Sequence, residues 1–197
     1  MLQKNSISKV FEVFLINPSK KFYLLEISRK IKLAHTSVKI ALTQLEKKGL
    51  IIRIVEKKGS RKFPVYKASN SKEFREQKKL YNYKAIVESG LSEFLEEKLM
   101  PKAIVLFGSY AKGEDDESSD IDLFIECNEE RIALDKYTQK LNRSIQLHFN
   151  KDFKNYPVEL KNNIVNGITL KGYLEAFSDD HKYNSGSPKS KGFKENG

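Results

Sequence analysis

The chain has 197 residues, 39% of them hydrophobic, which is enough for one or two small cores, and a net charge of +10. A single cysteine, Cys127, excludes an internal disulfide and fits a reducing cytoplasm; no Cys/His cluster suggests zinc, and no apolar run approaches the roughly 20 residues of a membrane helix. The charge is uneven: residues 1–69 hold 16 Lys+Arg against 4 Asp+Glu, a net of +12, and the remainder holds 20 against 22, a net of −2.

That asymmetry argues for two modules with different partners, the basic one suited to a polyanion. Val10 to Ile16 is too short for a signal peptide and is interrupted by Glu12. Val10, Phe11, Phe14 and Leu15 instead recur at helical spacing, and Asn17-Pro18-Ser19 ends that helix. Leu24, Ile27 and Ile31 fit a short second helix. Thr36-Ser37 is the expected N-cap of a third, whose apolar face is Val38, Ala41, Leu42 and Leu45. Lys47 and Lys48 suit the negative end of its dipole, and Gly49 stops it. Two β segments follow, Leu50 to Glu56 and Phe63 to Ala68, joined by a basic tip at residues 57–62. Three short helices and a β-hairpin resemble a winged helix-turn-helix domain, here over residues 1–69. The resemblance implies double-stranded DNA as partner. Thr36, Ser37, Lys39, Ile40, Thr43 and Gln44 would face the major groove, and Lys57, Lys58, Arg61 and Lys62 would contact phosphates. Winged helices also dock proteins, so that reading stays open.

Lys72 to Leu99 reads as a connector helix, interrupted at Ser89-Gly90. Ile104 to Phe107 is a short apolar run ended by Gly108-Ser109, a buried strand turning sharply where the backbone can approach a ligand. Tyr110-Ala111-Lys112 can start a helical turn, and Lys112 adds positive charge. After a polar, acidic loop from Gly113 to Ser119, Asp120, Asp122 and Phe124 alternate with Ile121, Leu123 and Ile125. Alternation places the two Asp residues on one strand face and the Ile and Leu side chains in the core. Two carboxylates entering an apolar strand repel unless a cation joins them, and the pair suits Mg²⁺ shared with substrate phosphates. Cys127 reads as packing at the strand end. Glu129 to Leu141 is expected to be a crossover helix, Ser144 to Phe149 a strand, Pro157 to Val165 a helix and Ile168 to Leu174 a strand or hairpin arm. Residues 179–197, rich in Lys, Ser, Gly and Asn, are expected to be disordered.

Gly108-Ser109, ten intervening residues and Asp120-x-Asp122 resemble the signature of minimal nucleotidyltransferases of the polymerase β superfamily. The resemblance covers residues 85 to 175. It implies an α+β chain, a winged helix-turn-helix followed by a nucleotidyltransferase domain (residues 70–178) with a small mixed sheet and flanking helices. It also implies that Gly108 and Ser109, with Lys112 near, hold ATP or another nucleoside triphosphate, while catalytic Asp120 and Asp122 hold Mg²⁺. Members usually carry a third carboxylate on a later strand. The matching strand here offers only Gln146 and His148 on the relevant face, and Asp152 lies just beyond it.

Two functions follow from the residues and the resemblance. One is an Mg²⁺-dependent transfer of a nucleoside monophosphate, AMP foremost, to an acceptor such as a HEPN-type toxin, with the DNA-binding module serving autoregulation. The other is a transcriptional regulator whose nucleotidyltransferase-like domain senses nucleotide without turnover. No membrane partner is expected, and homodimerisation is compatible with a winged-helix regulator.

Overall fold

Asn5 opens the first helix by accepting the Ser8 amide at 2.9 Å, one of the donors a helix start leaves without a partner. In the computed structural model, which describes residues 5–175, this helix is α1 (Ser6–Ile16). Helices α2 (Leu24–Ile31) and α3 (His35–Lys47) follow. Their apolar faces meet as the spacing predicts: Val10, Phe14, Ile27, Val38, Leu42 and Leu45 form one buried cluster.

The start of α3 differs from expectation. Its N-cap is Ala34, with no side-chain cap bond, and Thr36 and Ser37 lie inside the first turn. The cause is the tight connection from α2. Lys32 takes a left-handed conformation, Ser28 Oγ donates to the Leu33 carbonyl at 2.6 Å, and the Val38 amide already reaches the Ala34 carbonyl.

The following hairpin is longer than expected. Strands β2 (Ile51–Lys58) and β3 (Arg61–Ala68) pair antiparallel to the end, with Lys57 opposite Lys62 and Lys58 opposite Arg61. The four basic residues therefore belong to the ladder rather than to a loop, and Gly59-Ser60 alone makes the turn. A two-residue strand, β1 (Phe22–Tyr23), pairs with the far side of β3. It is too short to show alternation in sequence.

Ser71 caps α4 (Lys72–Ser89) by accepting the Phe74 amide at 3.1 Å. This helix joins two cores: Phe74 packs into the N-terminal cluster and Ile86 into the next. It breaks at Gly90, as Ser89-Gly90 suggested, and α5 (Leu91–Leu99) continues.

Four strands build the second sheet: β4 (Ala103–Phe107), β5 (Ile121–Ile125), β6 (Ile145–Phe149) and β7 (Ile168–Gly172), in the order β6-β5-β4-β7. Only β5 and β6 run parallel, so the sheet is mixed. Ile104, Leu106, Ile121, Leu123 and Ile125 face α4 and α5, whereas Val105, Phe107 and Phe124 pack under Phe153 and Ile164 on the other side. Helix α6 (Gly108–Lys112) leaves β4, α7 (Asp135–Leu141) lies in the β5–β6 crossover, a 3-10 turn spans Phe153–Asn155, and α8 (Val158–Val165) precedes β7.

The crossover helix expected from Glu129 is thus only Asp135–Leu141. Ile132 and Leu134 still pack on the core, but from irregular chain, so their spacing does not require a helix. No helix among the described residues is long and apolar enough to cross a membrane. The tail at 179–197 lies outside the described residues.

Candidate active site

The sheet carries one of the two expected carboxylates in a strand and the other at that strand's entry. Asp120 stands immediately before β5 and Asp122 within it, and both are half-buried. Asp122 sits opposite Phe107, the last residue of β4, and so next to the turn where Gly108 starts α6. Gly108 has φ +74, and a Cβ there would stand 2.5 Å from Asp122 Oδ2. Only glycine accepts both that backbone conformation and that neighbour. Ser109 follows, half-buried, and Lys112 is exposed at the end of the short helix.

The parallel β5–β6 register decides what stands at the third position. Gln146 pairs with Asp122 and His148 with Phe124, so both share the Asp122 face. Gln146 is exposed. His148 turns back, its Nε2 3.2 Å from Asp122 Oδ1, with its ring edge-on to Phe107 at 5.1 Å. Asp152 instead caps the 3-10 turn, accepting the Lys154 amide at 3.0 Å.

No group of three or more His, Cys, Asp or Glu side chains is gathered for a metal among the described residues. Two half-buried carboxylates, one of them against the side-chain position of Gly108, nevertheless fit Mg²⁺, which is commonly held by one or two carboxylates together with substrate phosphates. The approach is acidic: residues 114 to 122 carry six carboxylates. Asp116 is held below the ordinary carboxylate range by hydrogen bonds from Ser118 and Ser119.

One buried polar cluster has no motif in the sequence. Lys78 and Asn82, one turn apart on α4, are buried and contact Asp115 from the acidic loop. The only sequence signal is their place on the helix face that also carries Phe74 and Ile86.

Most of the N-terminal candidates are exposed. Thr36, Lys39, Ile40, Thr43 and Gln44 are exposed on α3, and Ser37 is half-buried. The Thr43 hydroxyl donates back to the Lys39 carbonyl at 3.0 Å, which leaves its oxygen as an acceptor. Lys57, Arg61 and Lys62 are exposed along the hairpin.

Residues 88–182 match the nucleotidyltransferase domain family, and the four-stranded sheet, Asp120 and Asp122 fall within that match. The chain thus contains a nucleotidyltransferase domain. It is similar to MJ1379 of Methanocaldococcus jannaschii, provisionally named a protein adenylyltransferase, with 41% identity over 56 residues. That match covers 25% of this chain and 56% of the relative, so the chain spans just over half of the relative's length. Two solved structures show weaker likeness. A provisionally described transcriptional regulator from Methanosarcina mazei Go1 is 20% identical at a TM-score of 0.35, over 48% of this chain and 76% of that one. The protein smu.1704 from Streptococcus mutans UA159 is 19% identical at 0.37, over 47% and 94%.

Proposed function

We propose that the chain transfers a nucleoside monophosphate, AMP from ATP, to a hydroxyl acceptor, and that its N-terminal unit binds double-stranded DNA. The observation that carries the enzyme reading is the Gly108–Asp122 contact, with Asp120 two residues before Asp122 at the entry to β5, inside the segment matching the nucleotidyltransferase domain family. Asp120 and Asp122 would hold Mg²⁺, which when bound supplies charge stabilisation to the reacting phosphate. Gly108 lets the backbone approach the triphosphate, Ser109 offers a hydroxyl, and Lys112 adds a cation at the rim. The acceptor oxygen forms a bond to the α-phosphorus, the bond to the β-phosphate oxygen breaks, and pyrophosphate leaves. The acceptor proton goes to a base near Asp122. His148 is better placed for that role than Gln146, since its Nε2 reaches Asp122 while Gln146 points to solvent. The name of the relative MJ1379 supports a protein acceptor, and a toxin of the HEPN type remains one candidate for it.

The DNA-binding reading rests on charge and shape. A net of +12 over residues 1–69, an exposed polar face on α3 and a basic hairpin beside it suit a winged helix-turn-helix in the major groove. A second domain over residues 70–178 is proposed from the same division of charge and motif.

A second reading, a nucleotide sensor without turnover, is favoured by one observation: neither Gln146 nor His148 is a carboxylate. Incubation with α-labelled ATP and Mg²⁺, alone and with cell lysate, separates the two. Label transfer lost in the Asp120→Ala/Asp122→Ala variant supports the enzyme. Nucleotide binding by calorimetry with no transfer supports the sensor.

A further inference from the structure

The C-terminal end of α1 is held by side chains from far along the chain. Lys78 Nζ donates to the Leu15 carbonyl at 2.8 Å, and the Arg143 guanidinium donates to the Ile16 carbonyl at 3.3 Å. These carbonyls lie at the negative end of the helix dipole and lack intrahelical partners, so cations there are favourable. The same Lys78 Nζ lies 3.0 Å from Asp115 Oδ2, with side-chain exposures of 2% and 0%. Asn82 donates to the other Asp115 oxygen at 2.7 Å and to the Tyr110 carbonyl at 2.8 Å. Glu117 accepts from the Ser19 amide at 3.3 Å and from the Ser19 hydroxyl.

The acidic segment 113–119 therefore touches the N-terminal unit twice, through Lys78 and directly through Ser19. It is also the segment that links Gly108–Lys112 to Asp120. Burial pushes the Lys78 ammonium below its ordinary pKa, and Asp115 opposes that shift. A buried ammonium is tolerated only while its partners remain. Drawing Asp115 away would strand the charge. A cavity of about 300 Å³ lies beside Lys78 and Asp115. Lys140, also on its wall, donates to the Glu88 and Ser89 carbonyls of α4 at 2.9 Å, and Arg143 Nε is buried there without a hydrogen-bond partner.

The six carboxylates between residues 114 and 122 repel one another, and a cation at Asp120 and Asp122 relieves that repulsion. We propose that this network couples the nucleotide face to the N-terminal unit. A metal–nucleotide complex at Gly108–Asp122 tightens the acidic segment on Lys78 and hence on α1, and the docking of α1 in turn sets nucleotide affinity. The coupling rests on the nucleotide-binding reading above, and linkage makes it reciprocal.

Hydrogen exchange on the full chain, with and without Mg²⁺ and a non-hydrolysable ATP analogue, tests it beside calorimetry. The expected result is slower exchange between residues 15 and 20, which hold none of the proposed nucleotide contacts. In Lys78→Met/Asp115→Asn, which removes the pair without stranding a charge, the analogue binds about fivefold more weakly or worse and the slowing disappears. Ser19→Ala/Glu117→Gln, which keeps the buried pair, shows the same trend. Analogue bound to the wild type with unchanged exchange at 15–20, or unchanged affinity in both variants, overturns the coupling. A wild type that binds no analogue overturns the nucleotide reading itself, and the coupling with it.

Discussion

Gly108 and Asp122 occupy each other's space: the position a Gly108 side chain would take is 2.5 Å from Asp122 Oδ2. The turn into α6 and the carboxylate of β5 are thus one unit. Gly108→Ala forces a side chain to φ +74 and displaces Asp122, with a strain of about 1–3 kcal/mol. Nucleotidyl transfer is expected to fall by at least about tenfold, since 1.4 kcal/mol corresponds to that factor. Thermal denaturation should still show a cooperative fold. Full transfer activity in a folded Gly108→Ala protein would contradict the assigned geometry.

His148 is expected to act beside Asp122, as the base and as the partner that orients its carboxylate. Its replacement by Ala removes the 3.2 Å contact and should lower transfer by about 10–100-fold, the usual cost of losing a partner that orients a metal-binding carboxylate. His148→Asp places a carboxylate on the same strand face and is expected to retain transfer. Gln146→Ala should change little, because Gln146 is exposed. Steady-state kinetics of the three variants decide between the two third-position candidates.

Tyr81 sets an alkaline limit. Its hydroxyl pKa is pushed up to about 12, first by burial and then by Glu12, from an unfolded value of 10.0. Between these values the unfolded chain loses a proton that the folded chain keeps. The stability contribution is therefore complete below pH 10 and is lost as pH rises toward about 12. Tyr110 is shifted in the same direction, chiefly by burial. Urea midpoints measured between pH 9 and 11 should fall more steeply for the wild type than for Tyr81→Phe. Parallel curves would rule this contribution out.

The hairpin should dominate the salt dependence of DNA binding. Each phosphate contact contributes about 0.9 to the slope of log K against log salt. Replacing Lys57, Arg61 and Lys62 by Ala is expected to reduce that slope by up to about three contacts' worth, with little change in sequence preference. Lys39→Ala and Gln44→Ala on α3 should alter preference instead. Fluorescence anisotropy over a salt series with two unrelated duplexes distinguishes these effects.

Local physics made much of this chain legible. The spacing of Val10, Phe14, Val38 and Leu42 marks helical faces because burial of one face depends only on a period of 3.6. The alternation Asp120-Ile121-Asp122-Leu123 marks a strand with acids on one side for the same kind of reason. Helix ends were less secure: Thr36-Ser37 is a good capping pair, but the turn at Lys32 started α3 ahead of it. What the residues alone could not decide depends on partners distant in sequence. His148 meets Asp122 only because β6 lies parallel to β5 in one register, and a shift of one residue would have turned it to the other face. Lys78 would be a solvated lysine on an isolated helix. Asp115 and the Leu15 carbonyl meet it from opposite directions in the chain, and only their convergence in the folded molecule makes its burial tolerable.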